Sequence, residues 1–359
     1  MKRWKHLFEI VIKEETLKQA LFDVAVSKKK KERFYKKPSI ADKYLENSDK
    51  VIANIKRNLN EKTYKVTTKK SFQRRERGKL RTITPPSFYD SIIYHATIIS
   101  LMPYFEKKFY YYSLGSIPGK GPWVGLNSIK SNLKDDRKHT KYCLQIDVRK
   151  FYDSIDRKLL IEKLKRTIKD QDMIWLLDVI INGQPGKGLP LGAYTSGWFA
   201  NFFLDEIDHF IKQELKVKYY YRYVDDMVLF GPNKKKLHKI RIALDEKLKD
   251  LNLEMKGNWQ VYKINSRRVD FLGFRTGRNN RIDRKRNMVE FARYTKRHGR
   301  KPTPAQASSI ESRRGRCRKF DSYTFLKSRI EPYTSRSYNR RVLRYDAKRN
   351  NERKRLTFG

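Results

Sequence analysis

The segment "YYYRYVDDMVLF", residues 219–230, sets two adjacent carboxylates, Asp225 and Asp226, between runs of strand-forming aromatic and apolar residues. Asp is favoured in turns, so a polar hairpin turn is one reading. The other is a metal site, because two carboxylates on a rigid hairpin offer hard oxygen ligands to a divalent cation. Metal chemistry would need a third acid, and "YCLQIDVRKFYDSID" supplies one. Leu144, Ile146 and Val148 alternate there with Cys143, Gln145 and Asp147, the period of a half-buried strand. Asp147 falls at the end of that strand, opposite its apolar face. Asp153 and Asp156 precede the helical pattern "RKLLIEKLKRTI" and read as helix-start residues, with Ser154 or Asp156 as the cap. Three carboxylates from two adjacent strands can hold two divalent ions about 3.5–4 Å apart, a geometry suited to in-line displacement of pyrophosphate. Hard oxygen ligands and substrate phosphates favour Mg²⁺, with Mn²⁺ as a substitute.

The elements that must position these acids are legible around them. Tyr219, Tyr221, Tyr223 and Asp225 are expected on one strand face, with Val228 and Phe230 on the returning strand. After "GPN", Leu237, Ile240, Leu244, Leu248 and Leu251 recur at helical spacing. Strand, helices, hairpin and helix in that order predict an α+β fold. Residues 1–60 read as helices interrupted by a solvated loop at Lys28–Lys31 and by Pro38. Residues 61–135 read as short strands and turns, and 136–275 as alternating strands and helices.

The chain has 359 residues, with 84 Lys and Arg against 39 Asp and Glu, a net charge of +45. So large an excess points to a polyanionic partner, nucleic acid before anionic membrane. No apolar run approaches the roughly 18 residues of a spanning helix. The N-terminus reads as an amphipathic helix and not a signal peptide. Cys143, Cys317 and six scattered histidines make neither a disulfide framework nor a zinc cluster, which fits a reduced, cytosolic setting. Residues 275–359 hold 27 Lys or Arg against 7 Asp or Glu, interleaved with aromatics. Arg313, Arg314, Arg316 and Arg318 are the candidate phosphate contacts there, with aromatic faces to stack on bases. The last 20 residues read as a disordered basic tail. "GSIPGKGP" and "GQPGKGLP" have a phosphate-loop look but the wrong spacing, and read as Gly-rich connections. Acids that hold metal, joined to this charge, imply nucleotidyl transfer.

The stretches "QIDVRKFYDSI", "GLPLGAYTSGWFANFFLDEID", "YRYVDDMVLF" and "RRVDFLGF" resemble, in order, the palm motifs of bacterial reverse transcriptases. "KLRTITPPSFYDSIIYHATIISLMPYFEKKFYYYSLGS" resembles their finger motifs, and the likeness covers residues 80–275. It implies a right-hand polymerase: an N-terminal helical extension (1–60), fingers (61–135), a palm of antiparallel sheet with packed helices (136–275, with 157–190 contributing to the fingers), and a basic, mostly helical thumb and tail (276–359). It also implies that Asp147, Asp225 and Asp226 are the catalytic metal ligands, with the Val148 carbonyl. Tyr152 would be the gate that leaves no room for a 2′-hydroxyl. Arg81 would hold the triphosphate with its fork of donors. Gly192 would let backbone approach a base pair without a Cβ, Leu191 would lie near the template base, and Ser196 would cap the next helix.

Departures bear on the lineage. Leu191 stands where many bacterial members have Gln; Leu, Ile or Val there resembles the diversity-generating and some defence-associated enzymes. The diversity-generating enzymes usually follow the serine with Gln, whereas this chain has Gly197 and Trp198. The thumb lacks the Val-Thr-Gly signature of retron enzymes. In place of a lysine at the family's usual position, "KGNWQVYKI" supplies Lys256 and Trp259. The acid-poor tail is not expected to supply a ribonuclease H domain, and the maturase and DNA-binding parts of the usually longer group II intron proteins are not expected. The resulting expectation is a cytoplasmic bacterial enzyme that copies a noncoding RNA into DNA, from dNTPs and a DNA or RNA primer. An accessory protein or second subunit is a further expected partner, and the expected setting is antiphage defence. The alternatives are a diversity-generating enzyme and, from another class, a catalytically silent RNA-binding scaffold.

Overall fold

The computed structural model describes residues 4–32, 40–67, 71–76 and 78–358. Pro38 and the side chains of Lys29, Lys30 and Lys31 lie outside the described residues. The chain divides into two compact units. The first holds Met1–Gly125 and Leu144–Val261, the second Leu126–Cys143 and Tyr262–Gly359.

In the first unit the helix Glu14–Glu32 buries Leu17, Ala20, Leu21, Val24 and Ala25, a stripe at i, i+3, i+4, i+7 and i+8. It runs through the lysine stretch where a loop was expected, since lysine is a good helix former and nothing there breaks the ladder. This helix packs on Phe88–Lys108, a 21-residue helix in a region expected to hold strands and turns. Its start is a capping box: Ser87 Oγ accepts from the Asp90 amide at 2.9 Å and Asp90 accepts from the Ser87 amide at 3.3 Å. Phe88, Ile92, Ala96, Leu101 and Phe105 are buried along it. The short hairpin β1 (Phe72–Glu76) and β2 (Lys79–Ile83) precedes it, pairing Arg74 with Arg81.

Strands β3 (Tyr142–Asp147), β4 (Tyr219–Tyr223), β5 (Asp226–Gly231) and β6 (Gln260–Lys263) form one sheet in the order β4-β5-β3-β6. The helix Lys234–Lys249 follows β5, with the Asn233 side chain accepting from Lys235 N and Lys236 N. It buries Leu237, Ile240, Leu244 and Leu248 as the spacing predicts. Asp156 caps the helix Arg157–Thr167, also as predicted.

The second unit carries the antiparallel sheet β7 (Val269–Phe271), β8 (Phe274–Thr276) and β9 (Arg281–Asp283). Leu272 and Gly273 both take positive φ, the two-residue turn that suits a tight hairpin. The pairing of β8 with β9 draws residues 262–275, expected in the palm, into the C-terminal region. Arg281 and Arg278 draw in residues 126–143. Their guanidiniums donate to Asn127 Oδ1 at 3.2 Å and to the Thr140 carbonyl at 3.1 Å. Helices Lys285–His298, Pro304–Cys317 and Tyr323–Arg329 close over Phe291, Ile310, Cys317 and Ile330. The tail expected to be disordered is the helix Arg336–Phe358, packed on Pro304–Cys317.

Candidate active site

The β4–β5 hairpin pairs Tyr223 with Asp226 and closes through a two-residue loop, Val224-Asp225, with Val224 at φ +59°. The alternation expected to carry Asp225 on the strand face with Tyr219 and Tyr221 therefore stops at Tyr223. Asp225 is a turn residue and Asp226 opens β5. Because β5 lies beside β3, the turn stands next to the end of β3, where Asp147 emerges. The turn reading of the acidic pair therefore holds for Asp225 alone.

Asp225 and Asp147 crowd one another. Burial first, and the Asp147 charge second, push the Asp225 carboxyl up to about 6, against the opposing pull of Lys256. Lys256 Nζ pairs with Asp147 Oδ2. The Asp225 carboxyl hydrogen-bonds to Asp147, and Asp147 Oδ1 is buried with no other partner. Two carboxyls this close, buried together, offer hard oxygen ligands that fit a divalent cation. Among the described residues, no group of three His, Cys, Asp or Glu side chains stands in metal-holding geometry. Asp147 and Asp225 come together; Asp226 is half-buried at the start of β5.

The segment after the helix Lys234–Lys249 clamps the end of β3. Arg149 N donates to the Glu254 carbonyl and Lys256 N to the Asp147 carbonyl, both at 2.8 Å, with Val148 bridged to Met255. These two bonds use the carbonyls of Asp147 and Glu254 and not that of Val148. Lys256 thus enters the site from the segment that departs from the family's usual pattern.

Tyr152 lies in the short helix Phe151–Ser154 and lines a cleft of about 320 Å³ with Ser116, Leu191, Gly192, Ser196 and Trp198. Burial, then the Asp225 charge, push its hydroxyl up to about 12, and Arg81 pulls the other way. The Leu189 amide donates to the Tyr152 carbonyl at 2.8 Å. At Gly188, φ +63°, a Cβ would stand 2.1 Å from that same oxygen. The loop "GQPGKGLP" is therefore the seat of Tyr152, and glycine at 188 is a steric requirement.

Gly192 takes φ +116°, and a Cβ there would stand 3.2 Å from Ile83 Cγ2. Thr84 N donates to the Leu191 carbonyl at 3.1 Å, which ties the end of β2 to the cleft wall. Arg81 sits exposed on that strand. Ser196 does not cap its helix, which starts at Tyr194; its hydroxyl donates to the Pro190 carbonyl at 2.8 Å.

The four C-terminal arginines do not make one exposed cluster. Arg314 is buried, with its guanidinium 3.4 Å from Glu311. Arg316 pairs with the buried Asp283 at 2.7 Å and lies over the Phe274 ring. Arg313 covers the Tyr294 ring, and of the four only Arg318 is exposed. The pair that sequence reasoning missed altogether is Arg222 with Asp208, both wholly buried under the hairpin. A charged residue inside an otherwise apolar strand was the available signal.

The profile of the family described as reverse transcriptase (RNA-dependent DNA polymerase) matches residues 65–276. The Escherichia coli protein YkfC is 25% identical over 146 residues, 38% of each chain. The group II intron-encoded protein LtrA of Lactococcus lactis is 31% identical over 150 residues, 39% of this chain and 24% of that one. The matches thus span well under half the length of either relative. Telomerase from Candida albicans, solved in complex with a fragment of telomeric RNA, superposes with a TM-score of 0.48 at 12% identity, covering 82% of this chain and 63% of that one.

Proposed function

This chain belongs to the reverse transcriptase (RNA-dependent DNA polymerase) family, and from that premise we propose that it extends a primer with dNTPs on an RNA template. The observation that carries the reading is the meeting of Asp147 and Asp225, with Asp225 close enough to act on Tyr152, which itself lines the cleft. Asp147, Asp225 and Asp226, with the Val148 carbonyl, would hold Mg²⁺. Two such ions supply activation of the primer hydroxyl and charge stabilisation at the leaving pyrophosphate. Lys256 neutralises Asp147 while no cation is held there. The Tyr152 ring would fill the space beside the sugar and so exclude a 2′-hydroxyl. Leu191 and Gly192 form the cleft wall beneath the template base, and Arg81 meets the triphosphate from β2. Arg318, exposed at the end of the helix Pro304–Cys317, contacts backbone phosphates.

We place the enzyme with a dedicated noncoding RNA in a bacterial antiphage system, not with diversity-generating retroelements. At Gly197 a Cβ would stand 2.4 Å from Ser116 Oγ. The glutamine usual after the serine in diversity-generating enzymes therefore has no room without a shift. A silent RNA-binding scaffold would not need two carboxylates crowded together against their own repulsion. Incorporation of labelled dNTP on a primed RNA with Mg²⁺ tests the proposal. Activity lost in Asp225→Asn with Asp226→Asn, while RNA binding persists, is the expected result. Polymerisation retained in that double variant would remove the active-site assignment.

A further inference from the structure

Arg222 sits in β4 two residues before the turn residue Val224. It is wholly buried, yet every one of its five N–H groups has an acceptor. Nε donates to Asp208 Oδ1 at 2.7 Å, and Nη2 donates to Asp208 Oδ2 and to Ser113 Oγ at 2.7 Å. Nη1 donates to Asn201 Oδ1 and to the Val224 carbonyl, both at 3.0 Å. The Tyr220 hydroxyl adds a 2.7 Å bond to Asp208. A buried ion pair is a poor source of net stability, because desolvating two charges offsets their attraction. Stability alone therefore does not account for a pair in this place.

What the guanidinium reaches does account for it. Val224 is β-branched at φ +59°, a conformation such residues resist. Its carbonyl belongs to the peptide that leads into Asp225, so holding that oxygen fixes the peptide plane and the direction in which Asp225 leaves the turn. The opposite flank is fixed as well. Arg222 N donates to the Tyr112 carbonyl at 3.0 Å, and Leu114 N to the Arg222 carbonyl at 2.8 Å. A Cβ at Gly115 would stand 2.7 Å from Val224 Cγ2, and Asn201 Nδ2 donates to the Gly115 carbonyl at 2.6 Å.

We infer that Arg222, locked by Asp208 and Asn201, is a positioning residue that sets the strained turn and thereby the place of Asp225. Its consequence for synthesis rests on the polymerase reading above; its consequence for the hairpin does not. Two variants test it. Asp208→Leu with Arg222→Met removes both charges together and leaves no buried ion unpaired. Arg222→Lys keeps a charge beside Asp208 but cannot serve Asp208 and the Val224 carbonyl at once. Each is compared with the parent by urea unfolding, by hydrogen exchange of residues 219–231, and by kcat and KM for dNTP on primed RNA. The expected result is faster exchange confined to residues 222–226. It comes with kcat lower by about 100-fold, as for a reacting group displaced by about 1 Å, and with little change in KM. Parental kcat and parental hairpin exchange in a variant lacking the guanidinium would overturn the inference. So would a loss of protection spread evenly over the chain, the mark of a purely structural pair. If the double variant does not fold, Arg222→Lys decides. If the parent itself incorporates no dNTP, the polymerase reading fails, and the exchange measurement still decides the role of Arg222.

Discussion

Replacing Asp225 by Asn removes one of two carboxylates that crowd each other where β5 meets β3, so it should stabilise the metal-free protein while abolishing synthesis. Burial and the Asp147 charge raise the Asp225 carboxyl from the ordinary 3.8 to about 6 in the fold. The folded state therefore holds the extra proton between these values. Stability falls as pH rises across that interval and is level above it. A displacement of this size corresponds to about 3 kcal/mol. Solvent at the half-buried carboxyl screens part of it, leaving about 1–2 kcal/mol. All five tryptophans, Trp4, Trp123, Trp175, Trp198 and Trp259, lie in the unit that carries the hairpin, so tryptophan fluorescence reports the unfolding of that unit. In EDTA at pH 7, the urea midpoint of Asp225→Asn should exceed that of the parent by about 0.5 M. At pH 4 the two should coincide, because the parent carboxyl is then largely protonated. Added Mg²⁺ should raise the parent midpoint and leave the variant nearly unmoved, since a ligand stabilises only the state that binds it. An equal or lower midpoint for the variant at pH 7 would refute the crowding of Asp147 and Asp225.

Tyr152→Ala should admit NTPs while dNTP use survives, read as the ratio of the two incorporation rates; unchanged discrimination would mean that Tyr152 is not the gate. Arg316→Ala leaves the buried Asp283 without its charge partner and should cost about 2 kcal/mol, measured by hydrogen exchange across β7–β9. Arg318→Glu should instead spare stability and lower the logarithmic salt slope of RNA binding by roughly one. Leu191→Gln adds a hydrogen-bonding group to the cleft wall, worth about 0.5–1.5 kcal/mol, and should lower misincorporation a few-fold on a defined template. Equal error rates for parent and variant would show that Leu191 only packs.

The sequence by itself determined what short-range physics controls. The alternating run around Leu144 and Ile146 became β3, which ends at Asp147. The stripe Leu237-Ile240-Leu244-Leu248 became the buried face of its helix, and Asp156 became a cap. Each of these depends on residues within a turn or two of chain. Aromatic and turn-forming residues around Phe88–Lys108 hid a helix whose buried face becomes visible only against the helix Glu14–Glu32, and the basic tail was misread in the same way. Tertiary structure alone decided where charges go, because an ion pair is a choice between partners far apart in sequence. It joined Lys256 to Asp147, set Arg222 on Asp208 beneath the turn, and committed Arg314 and Arg316 to internal acceptors while leaving Arg318 exposed. Two adjacent aspartates announced a site. Where Asp225 points was settled by a strained valine and a buried guanidinium, which act on it only once Ser113, Asn201 and Asp208 have been folded around them.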